Sequence, residues 1–392
     1  MTTELLLRPS WCLLPDGRLV DGQVVLTGAD GGIAYVGPED GLPPGEREVV
    51  DAPGCTLLPG LIDLHLLFLH AHPVGSAVSP VHEVLSGRDL LESLLAQGIT
   101  SIRDTATDEQ VALDFRQLLA SGTVRGPRLF AAGRPIGAGG RGGAVYGAHE
   151  VNGPVEARAR ARTQIRAGVD FLSVAVTNGL AGGGGKVNGP AGWQELRPDE
   201  IAAVVAEARA AGRPVSANAL GNDGIRAAVE AGVDTVEHAT ELDRETADRM
   251  AEKGVAMVPT LTVMHCFAER ASEFGLPLYL EERAKRVLER AYEAVGIALQ
   301  AGVTIGAGTD SHGRETVIDE IRYLGDAGLS TVDAVRAATS VAADLLGPQA
   351  NTGRVAEGYR ADLLVVEGSL TAALDRPRWV VADGRLVVKE TV

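Results

Sequence analysis

From about residue 52 to residue 346 the chain repeats one unit, a short β-rich run followed by a longer helical run. The strand candidates are LLPGLIDLHLLF, TSIRDTA, PRLFAAG, FLSVAVT, PVSANAL, TVEHAT, AMVPTLT and TIGAGTD. Helical candidates such as RDLLESLLAQG, PVEARARARTQIRAG, PDEIAAVVAEARAAG and DGIRAAVEAG lie between them, and many stop at a glycine, the residue that suits a left-handed helix end. Near-continuous apolar runs such as FLSVAV suit strands covered on both faces. Eight strands alternating with helices predict an α/β fold, a (β/α)8 TIM-type barrel over residues 56–354. A doubly wound open sheet also alternates in this way.

The ends follow another pattern. Residues 1–55 and 355–392 carry short β-rich runs and the turn pairs Asp16-Gly17, Asp21-Gly22 and Asp383-Gly384, all hairpin signals. They predict one small β-sandwich domain built from both chain ends. The chain has 392 residues, 45% of them apolar, enough to bury a large core. The formal charge of −16 argues against nucleic acid and anionic membrane surfaces and leaves a small molecule as the expected partner, with a homodimer possible for such a barrel. Cys12, Cys55 and Cys266 lack metal-ligand spacing and make no disulfide framework. With no basic leader and no membrane-length apolar run, the expected location is the cytoplasm.

In a parallel barrel the reactive groups project from the C-terminal strand ends. The polar residues there are His65, Arg103 with Asp104, Ser173, Asn218, Glu237 with His238, Thr260, and Asp310 with His312. A carboxylate and histidines converging from the first, sixth and eighth strands would make an acid–base constellation, with Asp310, His238 and His65 as its catalytic members. Arg103 is placed among the substrate contacts, against a competing reading as half of a structural ion pair. Two glycine-rich stretches, 137–147 and 179–192, read as loops at the barrel mouth. The GGGGK in the second is no phosphate loop, since Leu180 and Val187 break the motif.

PGLIDLH, EHAT and GTDSH, in this order, resemble the amidohydrolase superfamily, and its imidazolonepropionase-like and prolidase-like branch in particular. TSIRD, AVEAGVDTVEH and the tail GYRADLLVV extend the resemblance over nearly the whole chain. It implies a two-metal site with a His-x-His pair, a carboxylated lysine, two further histidines and an aspartate. His65, His238 and Asp310 match three of these ligands. Leu67 stands at the second histidine, Ser173 at the lysine and Asn218 at the strand-five histidine. The resemblance assigns His65 and Asp310 to one ion and His238 to the other, so neither ion keeps three strong protein ligands.

On that reading no metal or other cofactor is expected, and the alternative is one divalent ion, zinc first. Leu67 and Leu220 predict a partly apolar pocket floor, with Asn218, Ser173 and His312 as further substrate contacts. His70 and His72 read as loop histidines and Lys186 as a solvated loop lysine. Three functions stay open. The first is metal-independent acid–base chemistry (cyclisation, dehydration, isomerisation or carbon–carbon bond chemistry) on a small, partly apolar molecule. The second is one-metal hydrolysis of a cyclic amide or ester. The third is ligand binding without catalysis.

Overall fold

The computed structural model describes residues 4–69, 79–139, 147–180, 191–274, 278–311, 315–368, 370, 374 and 376–389. His70, His72, Lys186, His312 and the centres of both glycine-rich stretches lie outside the described residues.

The chain opens with β1 (Leu5–Leu13), β2 (Leu19–Asp21), β3 (Val24–Thr27), β4 (Ile33–Gly37) and the long β5 (Glu48–Pro59). A βα alternation follows: β6 (Leu61–Leu66), α1 (Pro80–Ala96), β7 (Ile99–Asp104), α2 (Glu109–Ala120), β8 (Arg128–Ala131), β9 (Ile136–Ala138), β10 (His149–Val151), α3 (Pro154–Ala167), β11 (Leu172–Ala175), α4 (Pro198–Ala210), β12 (Val215–Ala219), α5 (Asn222–Ala231), β13 (Thr235–His238), α6 (Arg244–Lys253) and β14 (Ala256–Val258). Helices α7 (Leu261–Arg270), α8 (Leu278–Ala301), α9 (Val317–Asp326), α10 (Thr331–Ala337) and α11 (Ser340–Leu346) lead to β15 (Leu363–Glu367), β16 (Trp379–Ala382) and β17 (Arg385–Lys389). No helix among the described residues is long and apolar enough to cross a membrane.

Both chain ends join one eight-stranded sheet, in the order β17-β16-β15-β5-β1-β3-β4 with β2 on β1. The expected small β unit is therefore a single hydrogen-bonded sheet. Leu7, Val25, Leu57, Leu363 and Val365 pack together in its core, while Leu58, Leu364 and Val380 belong to the larger core around the parallel strands. Cys12, Cys55 and Cys266 are buried thiols outside any disulfide.

The parallel strands β6, β7 and β11 are buried along their length, which explains their apolar runs. The parallel strands form two sheets, β6-β7-β8 and β10-β9-β11-β12-β13-β14. Gly168, Gly232 and Gly254 end α3, α5 and α6 in the left-handed conformation that their sequence position requires.

The predicted eighth strand, TIGAGTD, forms no strand, and among the described residues the parallel sheets close no continuous ring. Isolated bridges join Met257 to Ile305 and Leu66 to Ser311. The buried Asp63 carboxylate pins this segment to β6, accepting from His65 N at 3.0 Å, Thr309 N at 3.0 Å and Thr309 Oγ1 at 2.7 Å. The approach is close because position 308 is glycine: a Cβ there would meet His65 N at 2.8 Å.

Candidate active site

His65, His238 and Asp310 converge from β6, β13 and the bridged segment. Each offers a ligand atom, and these atoms all lie within 4.8 Å of one another. The two imidazole centroids are 5.2 Å apart. His238, Thr260 and Asp310 all have backbone φ between 51° and 68°, in the left-handed region. Side chains rarely adopt it without compensation, and such strain gathers at functional sites.

Both imidazoles are anchored through Nδ1. His65 Nδ1 lies 3.0 Å from Glu237 Oε2, and its Nε2 lies 3.1 Å from Thr105 Oγ1 and 3.5 Å from Asp310 Oδ1. His238 Nδ1 lies 2.7 Å from Thr260 Oγ1, which leaves Nε2 as its remaining ring nitrogen. Glu237 is itself held by Arg103 Nη2 at 2.6 Å and Thr235 Oγ1 at 2.5 Å. Burial pushes against ionising Glu237, but Arg103 and His65 more than offset it and hold its carboxyl at about 2. Burial likewise opposes charge on His65, yet Asp310 and Glu237 prevail and raise it to about 10. For His238 burial wins, with His65 adding to the effect and Asp310 opposing it, and its pKa falls to about 4. The two acidic partners thus favour charge on His65, whereas burial disfavours it on His238.

Among the other expected site residues, Leu67, Leu220 and Asn218 line the same cavity, together with Leu180, Met264 and Phe267. The cavity volume is about 50 Å³. Ser173 is fully buried and reaches the site through Asn218, whose Nδ2 donates to Ser173 Oγ at 3.1 Å and to Val174 O at 3.4 Å. Only Asn218 Nδ2 can donate to that backbone carbonyl, so Oδ1 is its remaining polar atom. Arg103 is absent from the cavity lining. It is buried, paired with Glu237, and its guanidinium lies 5.1 Å over the Phe171 ring.

The donor set fits a divalent cation. Two imidazoles and a carboxylate form a set that zinc accepts while keeping a position for water or substrate. A carboxylate behind a ligating histidine, as Glu237 stands behind His65, is the usual support in such sites. The resemblance assigned His238 to a different ion from His65 and Asp310; the observed convergence lets one ion draw on all three. Sequence reasoning overlooked the support from Glu237, Thr260 and Thr105. A buried arginine at position 103 was the available signal for Glu237, since a guanidinium inside a fold demands a partner.

The amidohydrolase family model matches residues 56–392. The ochratoxinase of Aspergillus niger is 29% identical over 375 residues, covering 86% of this chain and 75% of the relative. A crystal structure described as an amidohydrolase superposes with a TM-score of 0.89 at 30% identity and covers 100% of both chains. A Xaa-Pro dipeptidase structure with methionine in its active site superposes with a TM-score of 0.89 at 25% identity, over 98% of this chain and 100% of that one. The match of the family model across the parallel sheets, the site and the C-terminal strands identifies the chain as a member of the amidohydrolase family.

Proposed function

We propose that this protein hydrolyses an amide-type C–N bond in a small, partly apolar molecule, using one divalent cation, zinc first, held by His65, His238 and Asp310. The observation that carries the reading is the convergence of those three side chains within 4.8 Å, with both Nδ1 atoms already engaged. Hydrolases among the relatives support the reaction class: one is named ochratoxinase, and one structural neighbour is a Xaa-Pro dipeptidase.

When bound, the cation would supply Lewis acidity at the scissile carbonyl. The chain does the rest. Glu237 fixes the His65 ring through Nδ1, and Thr260 fixes His238. Leu67, Leu180, Leu220, Met264 and Phe267 exclude water and receive the apolar part of the substrate. Asn218 Oδ1 accepts a substrate hydrogen bond. We read the two parallel sheets and the bridged segment as arcs of a (β/α)8 barrel with the reacting groups at its C-terminal strand ends.

A second reading is metal-independent acid–base chemistry by Asp310, His238 and His65. It is favoured by the Asn218–Ser173 hydrogen bond, which joins two neutral side chains where the resemblance implies two metal ligands. Elemental analysis of the purified protein, before and after chelation, separates the two. About one equivalent of tightly held zinc or another divalent ion is expected, on the ligand count. Asp310→Asn should then lose both the ion and hydrolysis of N-acyl amino acids and cyclic amides. A folded chain that neither retains nor rebinds an ion would overturn the one-metal reading.

A further inference from the structure

The N-terminus of α7 is capped in an unusual way. The residue at its N-cap is Thr260, with φ 52°, and a threonine there ordinarily turns its hydroxyl inward to accept from the first-turn amides. Thr260 makes no such bond. Its hydroxyl is spent on His238 Nδ1, at 2.7 Å.

The orphaned amides are taken up from elsewhere. Glu320, on α9 and fully buried, accepts from Leu261 N at 3.0 Å and Thr262 N at 2.7 Å, and from Thr262 Oγ1 at 2.6 Å. Val263 N donates to Thr309 O at 3.2 Å, next to Asp310. A carboxylate at a helix N-terminus also meets the positive end of the helix dipole. Glu320 is absent from the cavity lining, whereas α7 contributes Met264 and Phe267 to it.

We infer that Glu320 is a positioning residue for the active site: it caps α7 from outside, and so frees the Thr260 hydroxyl to orient His238. Glu320→Gln sets an amide NH2 donor against one of these two buried N–H groups, and the Thr260 hydroxyl is the acceptor that an N-cap residue can offer in its place. When Thr260 turns to them, His238 loses its anchor. The effect runs through one helix turn and leaves the Glu237–His65 pair on the other side of the site untouched.

The metal arm of the test rests on the one-cation reading, whereas the imidazole arm does not. The full chain is prepared as wild type, Glu320→Gln, Thr260→Ala and the double variant, with histidine side chains labelled by ¹⁵N. Zinc affinity is measured by competition with a chromogenic chelator, and imidazole nitrogen signals are recorded on zinc-free protein. Glu320→Gln is expected to weaken zinc binding by about 10- to 100-fold, the usual effect of losing a ligand's support. Thr260→Ala should do the same, and the double variant should lose no more than either single one. The His238 signals should shift while those of His65 stay fixed.

If Glu320→Gln does not fold, Thr262→Val removes one of the three anchoring bonds and should move the same readouts less far. Lower thermal stability with unchanged His238 signals would overturn the inference and leave Glu320 as a helix cap only. Wild type that binds no zinc would sink the one-cation reading, and the His238 signals would still decide the role of Glu320.

Discussion

Glu237 is the residue on which the electrostatics of the site turn. Its carboxylate is fully enclosed, with Arg103 on one oxygen and His65 on the other. Breaking a buried pair from one side leaves an uncompensated charge, so Glu237→Gln should destabilise the fold by about 3–5 kcal/mol, read by chemical denaturation. The same change should weaken divalent-ion binding, because the His65 ring loses its orienting acceptor. Unchanged stability would mean that Arg103 finds another partner. The three central residues were legible in the sequence because they sit in recognisable motifs at strand ends. The role of Glu237 was not. Alternation along an extended strand sends neighbours to opposite faces, which separates Glu237 from His238. The left-handed backbone at His238, φ 68°, breaks that alternation, and both residues meet His65. A single left-handed residue leaves no periodic trace.

Elements were legible where periodicity rules and illegible where hydrogen bonding departs from it. The apolar runs placed β7, β8, β11, β12 and β13, whereas LLPGLIDLHLLF reads as one strand but covers the end of β5, Gly60 and β6. AMVPTLT reads as one strand, but β14 stops at Val258. Pro259 has no amide to donate, Thr260 turns left-handed, and α7 begins at once. TIGAGTD also reads as a strand, yet the segment is held by isolated bridges and the Asp63 staple. Gly308→Ala tests how tightly it is held. The added methyl would meet His65 N at 2.8 Å and Val258 Cγ1 at 2.7 Å. It should cost about 1–3 kcal/mol, as overpacking does, and by moving Asp310 it should also weaken ion binding. Full retention of both would show that the segment can withdraw from β6. The strand ends also carry the three positions at which the resemblance implies further donors. Placing histidine at Leu67, lysine at Ser173 and histidine at Asn218 together should raise the bound divalent ion from about one equivalent to about two, by elemental analysis. An unchanged count would show that more than donor identity has altered.

The whole molecule is organised around a sheet that neither end of the chain can make alone. β15 lies between β5 and β16, and its Leu363, Leu364, Val365 and Val366 are fully buried. A chain cut after Arg360 should therefore lose its cooperative thermal transition and aggregate, since Leu57 and Leu58 would face water. A cooperative melt in that shortened chain would show that the parallel sheets stand without the end sheet. The pairing of the two ends was legible from their hairpin signals; their union in one sheet through β5 was not, because strand order across such a distance has no local signal.

That sheet also sets a schedule for synthesis. Thr56 and Gly368, joined by a 2.7 Å hydrogen bond, are 312 residues apart. At about 5–20 residues per second, β5 leaves the ribosome roughly 15–60 seconds before its partner β15 exists. Throughout that interval the nascent chain exposes an unpaired strand edge, which chaperones are suited to shield and which would otherwise seek the same edge on a neighbouring chain.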